Sequence, residues 1–268
     1  MIVSIVTINY NNLTGLKKTF ESVIRQTFTD YEWIIIDGGS TDGSKLFIEQ
    51  HQDRFSFWCS EPDGGIYQAL NKGVKYAKGE YINFLNSGDC FIDSNVLLQV
   101  FKTSHTGDIL YGDSLYIGKT GKELHVFPEH LTYNWLSFTT INHQATFTKR
   151  EVFRHLSFDA KYKVLADRKF WMECMLHNFT FEHLPFTVSL YDYTGFSVSN
   201  KEKWAAEKKE IFEEITPIGL QENLRHGEIY ELHSDLWRAY QILEKHGPCR
   251  KILHLTLNLL IKLQSKDK

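Results

Sequence analysis

Residues 2–8 read IVSIVTI, a run of β-branched residues that predicts a first strand. Thr14 follows as a candidate cap for a helix whose apolar residues lie three or four positions apart. Further apolar runs at residues 33–36 and 55–58 predict the second and third strands. Short strands that alternate with amphipathic helices are typical of βαβ units around a mostly parallel sheet. The first part of the chain therefore predicts an α/β fold.

Polar loops follow three of the predicted strands. Residues 9–12 follow the first strand, residues 37–43 follow the second, and residues 86–89 follow a fourth strand at residues 81–85. The carboxyl ends of parallel strands share one edge of an open α/β sheet, and ligands bind at that edge. The sequence therefore predicts a functional site where these loops meet.

Composition narrows the kinds of partner and compartment. The 268 residues carry 30 Lys and Arg against 33 Asp and Glu, a formal charge of −3, so no net basic field favours nucleic acid. The four cysteines are scattered without a C-x-x-C pair, which favours a reducing compartment over a disulfide framework. No basic leader and no run of 18 apolar residues stands out, so we expect a cytoplasmic protein.

The second half of the chain is less regular and ends in helical patterns. Its predicted elements are a strand at residues 109–112, a helix at residues 167–176 and a strand at residues 186–191. A change of character predicts a domain of residues 1–200 and a helical extension of residues 201–268. Within that extension, residues 249–268 mix leucines with basic residues. This segment either packs on the domain or a partner, or lies as a peripheral helix on the inner face of the cell membrane.

Three motifs, in order along the chain, resemble those of the family 2 inverting glycosyltransferases, which have the GT-A fold. They are residues 3–11 (VSIVTINYN), 36–43 (IDGGSTDG) and 79–89 (GEYINFLNSGD). Residues 60–73 (SEPDGGIYQALNKG) are similar to the subgroup that builds bacterial capsular and extracellular polysaccharides and O-antigens. The resemblance implies transfer of a sugar from a nucleotide-sugar donor, most commonly a UDP-sugar, to a hydroxyl of a saccharide or lipid-linked saccharide.

The resemblance places the nucleoside of the donor at the ends of the first two strands. Asp37 is the expected acceptor for a uracil N–H or a ribose hydroxyl. Thr7, Asn9 and Tyr10 end the adjacent strand, where the family has its base-binding wall. The alternative for Asp37 is a turn carboxylate that binds its own backbone.

A second group of expected donor contacts precedes and follows the start of a helix. Asp63, Gly64 and Gly65 come just before it, where free backbone N–H groups suit an anion or a sugar hydroxyl. Asn71 lies one to two turns further along the same helix. An Asp N-cap followed by permissive glycines is the alternative interpretation of the first three residues.

Residues 85–89 (LNSGD) occupy the place where family members have an acidic D-x-D motif. A divalent cation bound there neutralises the leaving diphosphate, and Mn²⁺ or Mg²⁺ prefers oxygen ligands. Asp89 is the candidate metal ligand, with Ser87 and Gly88 near the donor, while Asn86 stands at a position that is acidic elsewhere in the family. The alternative for Asp89 is a turn carboxylate.

Inverting transfer needs one carboxylate that takes the proton from the attacking hydroxyl. The resemblance assigns this role to Asp167, at the start of a predicted helix, where a capping role competes. His143 and Gln144, in residues 142–147 (NHQATF), are expected on the acceptor side, as is Asp113 after a predicted strand. For His143 and Asp113 a purely structural role remains open.

Two other function classes compete with sugar transfer. A sugar nucleotidyltransferase shares the α/β sheet but has a glycine-rich, basic loop after its first strand, which residues 9–12 (NYNN) lack. A catalytically inactive binding or scaffold subunit is suggested by the loss of acidic residues at positions 86 and 88.

Overall fold

The computed structural model describes residues 1–118, 121–192, 201–218 and 221. The strands in these ranges are β1 (Val3–Asn9), β2 (Tyr31–Asp37), β3 (Phe57–Ser60), β4 (Tyr81–Phe84), β5 (Cys90–Phe91), β6 (Ile109–Gly118), β7 (Gly121–His125), β8 (Thr146–Lys149) and β9 (Phe181–Asp192). The helices are α1 (Leu13–Ile24), α2 (Ser44–Gln50), α3 (Ile66–Tyr76), α4 (Val96–Phe101), α5 (Tyr133–Phe138), α6 (Ala166–Leu176) and α7 (Lys201–Ile215).

The strands form one sheet in the order β3-β2-β1-β4-β8-β6-β9-β5, with β7 paired to β6. β1 is parallel to both β2 and β4, and β3 is parallel to β2. β8 then runs antiparallel to β4 and to β6, while β9 is parallel to β6. The α/β prediction is confirmed, with the parallel strands concentrated in the first half of the sheet. The second half is mixed, and the sequence did not predict β5, β7 or β8.

Helices cover both faces of the parallel strands. All seven residues of β1 are buried. On one face Phe20 of α1 packs against Trp33 of β2, with ring centroids 5.5 Å apart. On the other face α3 crosses β1 so closely that a Cβ at Gly73 would lie 2.3 Å from Val6 Cγ1. The two helical layers leave the carboxyl edge of β1, β2 and β4 open for loops.

Local boundaries differ from the sequence predictions where side chains bind the backbone. The N-cap of α1 is Asn12 rather than Thr14, because the Asn12 side chain accepts a hydrogen bond of 3.0 Å from Gly15 N. The third strand begins at Phe57 instead of residue 55, and β9 extends well beyond the predicted residues 186–191. Each of these three observed elements overlaps the element that the sequence predicted.

The chain divides into two compact units, Met1–Glu210 and Ile211–Lys268, and α7 contributes to both. The domain boundary near residue 200 stays a prediction. Residues 249–268, which were predicted to contact a partner or a membrane, lie outside the described residues. In the part of the chain that is described, no helix is both long and apolar enough to cross a membrane.

Candidate active site

Asp37, at the end of β2, is fully buried and accepts four hydrogen bonds. Its Oδ1 accepts from Asn9 Nδ2 at 2.7 Å and from Ser40 Oγ at 2.6 Å. Its Oδ2 accepts from the Ser40 backbone N–H at 2.9 Å and from Ser60 Oγ at 2.6 Å. Burial raises the pKa of Asp37, but these hydrogen bonds outweigh it and leave the pKa below its usual value. The carboxylate therefore stays ionised and ties together the ends of β1, β2 and β3.

Of the residues predicted at the end of β1, Thr7 does not reach the edge of the sheet. It is fully buried, and its hydroxyl accepts the Trp33 indole N–H at 2.9 Å, because the alternation of β1 directs its side chain toward α1 and α2. The expected contact between Thr7 and a donor stays a prediction. Asn9 binds Asp37, whereas the Tyr10 side chain is 68% exposed and faces the loops.

The side chains of Tyr10 and of Asp63, in the loop after β3, both lie next to the backbone of Gly38. A Cβ at Gly38 would lie 2.9 Å from Asp63 Oδ2 and 3.1 Å from Tyr10 Cδ2. Asp63 Oδ1 also accepts a hydrogen bond of 2.9 Å from Gly65 N. The side chains of Tyr10 and Asp63 thus form an open wall over a glycine backbone.

A small, shallow cleft opens at the start of α3. Gly64 and Gly65 line one side of it, and Tyr162 and Lys163 line the other. Gly65 is the N-cap of α3 with φ +121°, a backbone conformation that favours glycine, and no side chain caps this helix end. Gly64, which lines the cleft, directly follows Asp63 in the chain.

Asn71, which was predicted to reach the donor, is engaged elsewhere. Its Nδ2 donates to Phe158 O at 2.7 Å, and its Oδ1 accepts from Phe158 N at 3.1 Å. Both ends of the amide therefore bind the main chain, and Asn71 joins α3 to the segment that leads to α6.

The loop of residues 86–89 is held by a side chain of α1 and by the N-cap residue of that helix. Thr19 Oγ1 donates to Asp89 O at 2.8 Å and accepts from Gly88 N at 3.0 Å. Asn12 Nδ2 donates to Ser87 O at 3.0 Å. Gly88 has φ +109°, so its left-handed backbone explains the glycine at this position.

Asp89 is 5% exposed and faces the second half of the sheet. Gln144 Nε2 donates to its Oδ2 at 2.9 Å, and the Asp192 backbone N–H donates to its Oδ1 at 3.2 Å. Burial raises the pKa of Asp89 to about 6, and the Gln144 hydrogen bond and nearby His143 lower it only in part. Gln144, expected on the acceptor side, is therefore a partner of Asp89.

His143 connects the loop after β4 to Asp167. Its Nε2 lies 2.9 Å from Asn86 Nδ2, and its Nδ1 lies 3.2 Å from Asp167 Oδ2. In the His143 tautomer with its proton on Nδ1, Nε2 accepts a hydrogen bond from the Asn86 amide. Nδ1 then donates its proton in a hydrogen bond to Asp167. Asn83, fully buried in β4, fixes the turn around His143 by donating to Gln144 O at 3.1 Å.

Asp167 lies just inside α6, and its side chain is 12% exposed. Its Oδ1 accepts from Arg168 N at 2.8 Å and lies 3.2 Å from the Tyr67 hydroxyl. The N-cap of α6 is Leu165, so Asp167 is not the capping residue of this helix. The carboxylate is oriented by three neighbours and keeps a small exposed surface.

Asp113 makes its hydrogen bonds away from this cluster. Its Oδ1 accepts from Phe127 N at 3.0 Å and lies 3.4 Å from His183 Nε2. These contacts fix the loop before α5 against β9. The place of Asp113 on the acceptor side stays a prediction.

A continuous set of contacts joins the predicted carboxylates along the edge of the sheet. Asp37 binds Ser40, whose hydroxyl accepts from Asn11 N at 2.8 Å. The next residue in the chain, Asn12, binds the loop that carries Asp89, and Asn86 of that loop leads through His143 to Asp167. Sequence reasoning missed Asn12, Thr19 and Tyr67, although an Asn just before a helix is a recognisable N-cap signal.

A sequence model of glycosyltransferase family 2 matches residues 4–160, more than half of the chain. The chain belongs to glycosyltransferase family 2.

Relatives within family 2 include proteins of mycobacteria and of Bacillus. An uncharacterized glycosyltransferase of Mycobacterium tuberculosis is 42% identical over 98 residues, which are 36% of this chain and 37% of that protein. The chain thus matches little more than a third of that relative's length. A putative teichuronic acid biosynthesis glycosyltransferase, TuaG of Bacillus subtilis, is 27% identical over 79% of this chain and 86% of its own.

Solved structures share the fold. TarS of S. aureus (residues 1–349), crystallised with UDP-GlcNAc, has a TM-score of 0.64 and 17% identity over 84% of this chain and 70% of its own. The mannosyltransferase PcManGT of Pyrobaculum calidifontis, in complex with GDP-Man and Mn²⁺, has a TM-score of 0.62 and 17% identity over 97% of this chain and 80% of its own. These likenesses confirm the predicted GT-A fold class of this family 2 protein.

The loop around Asp89 offers oxygen donors of the kind that a hard divalent cation prefers. Among the described residues, Asn86 Oδ1 and Ser87 Oγ are buried without a hydrogen-bond partner. A Cβ at Gly88 would lie 3.8 Å from Asp192 Oδ2, which places a second carboxylate nearby. No three His, Cys, Asp or Glu side chains converge in the described ranges. The carboxylate, amide and hydroxyl oxygens of this loop are nevertheless the ligand types that fit a hard divalent cation.

Proposed function

We propose that this family 2 protein transfers a sugar, with inversion, from a nucleotide-sugar donor to a hydroxyl of a saccharide or lipid-linked saccharide during synthesis of a surface polysaccharide. The observation that carries the proposal is the chain of contacts from Asn86 through His143 to Asp167. It places an oriented carboxylate beside the loop that bears Asp89. In an inverting transfer, the leaving diphosphate and the base lie on opposite sides of the sugar. A carboxylate beside the Asp89 loop fits this requirement.

The donor binds along the ends of β1, β2 and β3 in this proposal. Tyr10 and Asp63 present a flat ring and a carboxylate over Gly38, which suits a nucleoside. Because Asp37 already accepts four hydrogen bonds, a contact with the nucleoside requires one of its hydroxyl partners, Ser40 or Ser60, to turn away. A UDP-sugar is the proposed donor, in keeping with the uridine nucleotide bound by TarS.

Asp167 acts as the general base in the proposed reaction. The acceptor hydroxyl gives its proton to Asp167 as its oxygen bonds to the anomeric carbon, and the bond from that carbon to the diphosphate breaks. His143 donates to Asp167 Oδ2 and Arg168 N donates to Oδ1, so the carboxylate keeps its orientation before the acceptor arrives. The products are the extended saccharide and the free nucleoside diphosphate.

Asp89, with Asn86 and Ser87, would hold a divalent cation, Mn²⁺ or Mg²⁺. When bound, the cation neutralises charge on the departing diphosphate. The burial of Asp89, with its pKa raised to about 6, favours a charged partner at neutral pH. The Mn²⁺ in the PcManGT complex supports this proposal.

The test is a screen of UDP-sugars and GDP-sugars, with saccharide acceptors, with and without EDTA. We expect transfer with a UDP-sugar and loss of transfer in EDTA. Asp167→Asn should lower kcat by about 10² to 10⁴, the range for removal of a general base, while UDP binding is retained. Asp108→Asn is the matched control, because Asp108 binds Thr180 and Lys149 away from the site.

The scaffold alternative makes the opposite prediction. If the cellular output of polysaccharide survives in folded Asp167→Asn and Asp89→Asn variants, the protein acts without catalysis and the proposal is wrong. Release of pyrophosphate from a nucleoside triphosphate and a sugar phosphate would instead indicate a nucleotidyltransferase.

A further inference from the structure

Glu207, on α7, is a buried acidic residue that the proposed reaction does not use. It is 6% exposed, and its carboxylate accepts three backbone hydrogen bonds. Oε1 accepts from Lys163 N at 2.8 Å, and Oε2 accepts from Val164 N and from Leu165 N, each at 2.9 Å. One side chain from a distant part of the sequence therefore fixes three consecutive residues.

The segment held by Glu207 leads directly into the helix that carries Asp167. Leu165 is the N-cap of α6, and its side chain makes no capping hydrogen bond. The first N–H groups of a helix need acceptors, and here Glu207 supplies one for the residues at the entry. Its negative charge also lies at the positive end of the α6 dipole.

A single hydroxyl connects this segment to the Asp167 carboxylate. Tyr67 donates to Val164 O at 2.7 Å, and the same hydroxyl lies 3.2 Å from Asp167 Oδ1. Val164 is thus bound on its N–H by Glu207 and on its carbonyl by Tyr67. A shift of Val164 changes the position of the Tyr67 hydroxyl and the start of α6 together.

We propose that Glu207 is a positioning residue for the base, acting through residues 163–165 and Tyr67. The inference rests on the proposed function, in which Asp167 takes the proton. Glu207 lies beyond residues 4–160, the part matched by the family 2 model. Through its hydrogen bonds to residues 163–165, the first turns of α7 would nevertheless act together with the catalytic domain. In this proposal, α7 helps to position the catalytic base.

The test compares Glu207→Gln with the wild-type protein. Glutamine keeps the size of the side chain but presents an NH₂ group to backbone N–H groups, so residues 163–165 lose hydrogen bonds. Because displacement of a reacting group by about 1 Å costs up to about 10²-fold in rate, we expect kcat to fall about 10-fold to 100-fold. The KM for the donor should change less than about threefold, because Asp37, Tyr10 and Asp63, the donor contacts of the proposed function, make no hydrogen bond to residues 163–165 among the contacts of the described residues.

Hydrogen exchange supplies a readout that is local to the contact. Amide exchange at residues 163–165 should accelerate in Glu207→Gln, with the amides of α6 beyond its first turn unchanged. The matched control is Glu210→Gln, one turn further along α7, because Glu210 pairs with Lys161 of the same loop at 2.6 Å but is half exposed. This control should keep both the wild-type kcat and the wild-type exchange rates.

Two results would overturn the proposal. One is a wild-type kcat in Glu207→Gln despite faster exchange at residues 163–165, and the other is an equal loss of kcat and donor affinity with a lower melting temperature. Glu207→Asp, which keeps the charge on a shorter side chain, is measured by the same criteria if the Gln variant does not fold. Failure of the wild-type protein to transfer any sugar would overturn the proposed function itself.

Discussion

Asp89 is a carboxyl group buried where a charge is unfavourable unless it has a partner. The cost of burial raises its pKa from 3.8 to about 6, although Gln144 donates to it. Below about pH 4 the group is protonated in both the folded and the unfolded chain. Between about pH 4 and pH 6 the unfolded chain releases the proton while the folded chain keeps it, so the free energy of unfolding falls as the pH rises.

Replacement of Asp89 by Asn should therefore stabilise the metal-free protein at neutral pH. The shift corresponds to about 2 to 3 kcal/mol at pH 7.5, and the gain should shrink toward zero at pH 4. Gln144 can rotate its amide to accept from the new side chain. Urea unfolding of both proteins at the two pH values measures the difference.

Addition of Mn²⁺ is the control for this prediction. At pH 7.5 the cation should stabilise the wild-type protein and leave Asp89→Asn nearly unchanged. The same stability difference between the two proteins at pH 4 and pH 7.5 would contradict the assignment of a raised pKa to Asp89.

At the residue scale, the sequence identified candidates better than it identified their partners. Asp37, Asp89 and Asp167 stand in recognisable motifs, and the structure joins them through neighbouring loops. Thr19 lies 70 residues from Asp89, and Glu207 lies 42 residues from Leu165. No local pattern encodes contacts over such distances, because they depend on how complete elements pack.

Among the elements, α3 combines close packing with two connections to the segment before α6. Tyr67 and Asn71 reach Val164 and Phe158 from one side of this helix. On the side that faces β1, Gly73 leaves no room for a methyl group. The distance between α3 and β1 therefore influences where the segment that leads to Asp167 lies.

Gly73→Ala should destabilise the protein even though alanine is the better helix former. The helix preference for Ala over Gly is about 1 kcal/mol, but overpacking in a full core costs about 1 to 3 kcal/mol. A Cβ only 2.3 Å from Val6 Cγ1, in a fully buried strand, favours the larger cost. We expect a net loss of about 1 kcal/mol in urea unfolding.

Lys75→Ala is the matched control, because Lys75 is exposed on the same helix. Its effect on stability should stay within about 0.5 kcal/mol. An increase in stability for Gly73→Ala would mean that β1 and α3 move apart at low cost.

The sequence predicted long elements better than short ones. β1 and α3 have strong apolar patterns and were found. β5 has two residues and pairs with β9, and β8 pairs with β4 through two residue pairs. Such short strands are defined by their neighbours in the sheet, so a local search for apolar runs does not find them.

For the whole molecule, binding of the nucleotide should raise the melting temperature. UDP at 100 times its Kd, with Mn²⁺, stabilises the folded state by about 2.7 kcal/mol. For a chain of this size that is a shift of about 5 to 11 °C in a thermal melt. EDTA should reduce the shift, because the diphosphate then lacks its counter-charge.

CDP is the matched control for recognition of the base. Cytosine offers an amino group where uracil offers a carbonyl oxygen, so CDP should shift the melt less than UDP. Equal shifts would mean that the phosphates and ribose supply the affinity, and would contradict recognition of uracil by the protein.

The reversed direction of β8 has a consequence for how such proteins diversify. Because β8 runs against β4, the residues just before it come to the same edge as the residues just after β1, β2 and β4. Two separate stretches of the gene therefore encode the two sides of the candidate site. The stretch before residue 90 carries Asp37 and Asp89, and the stretch after residue 140 carries His143 and Asp167. Under the proposed function, recombination between α4 and β6 would exchange the stretch that carries His143 and Asp167 and keep the stretch that carries Asp37 and Asp89, which is a direct evolutionary route to new linkages.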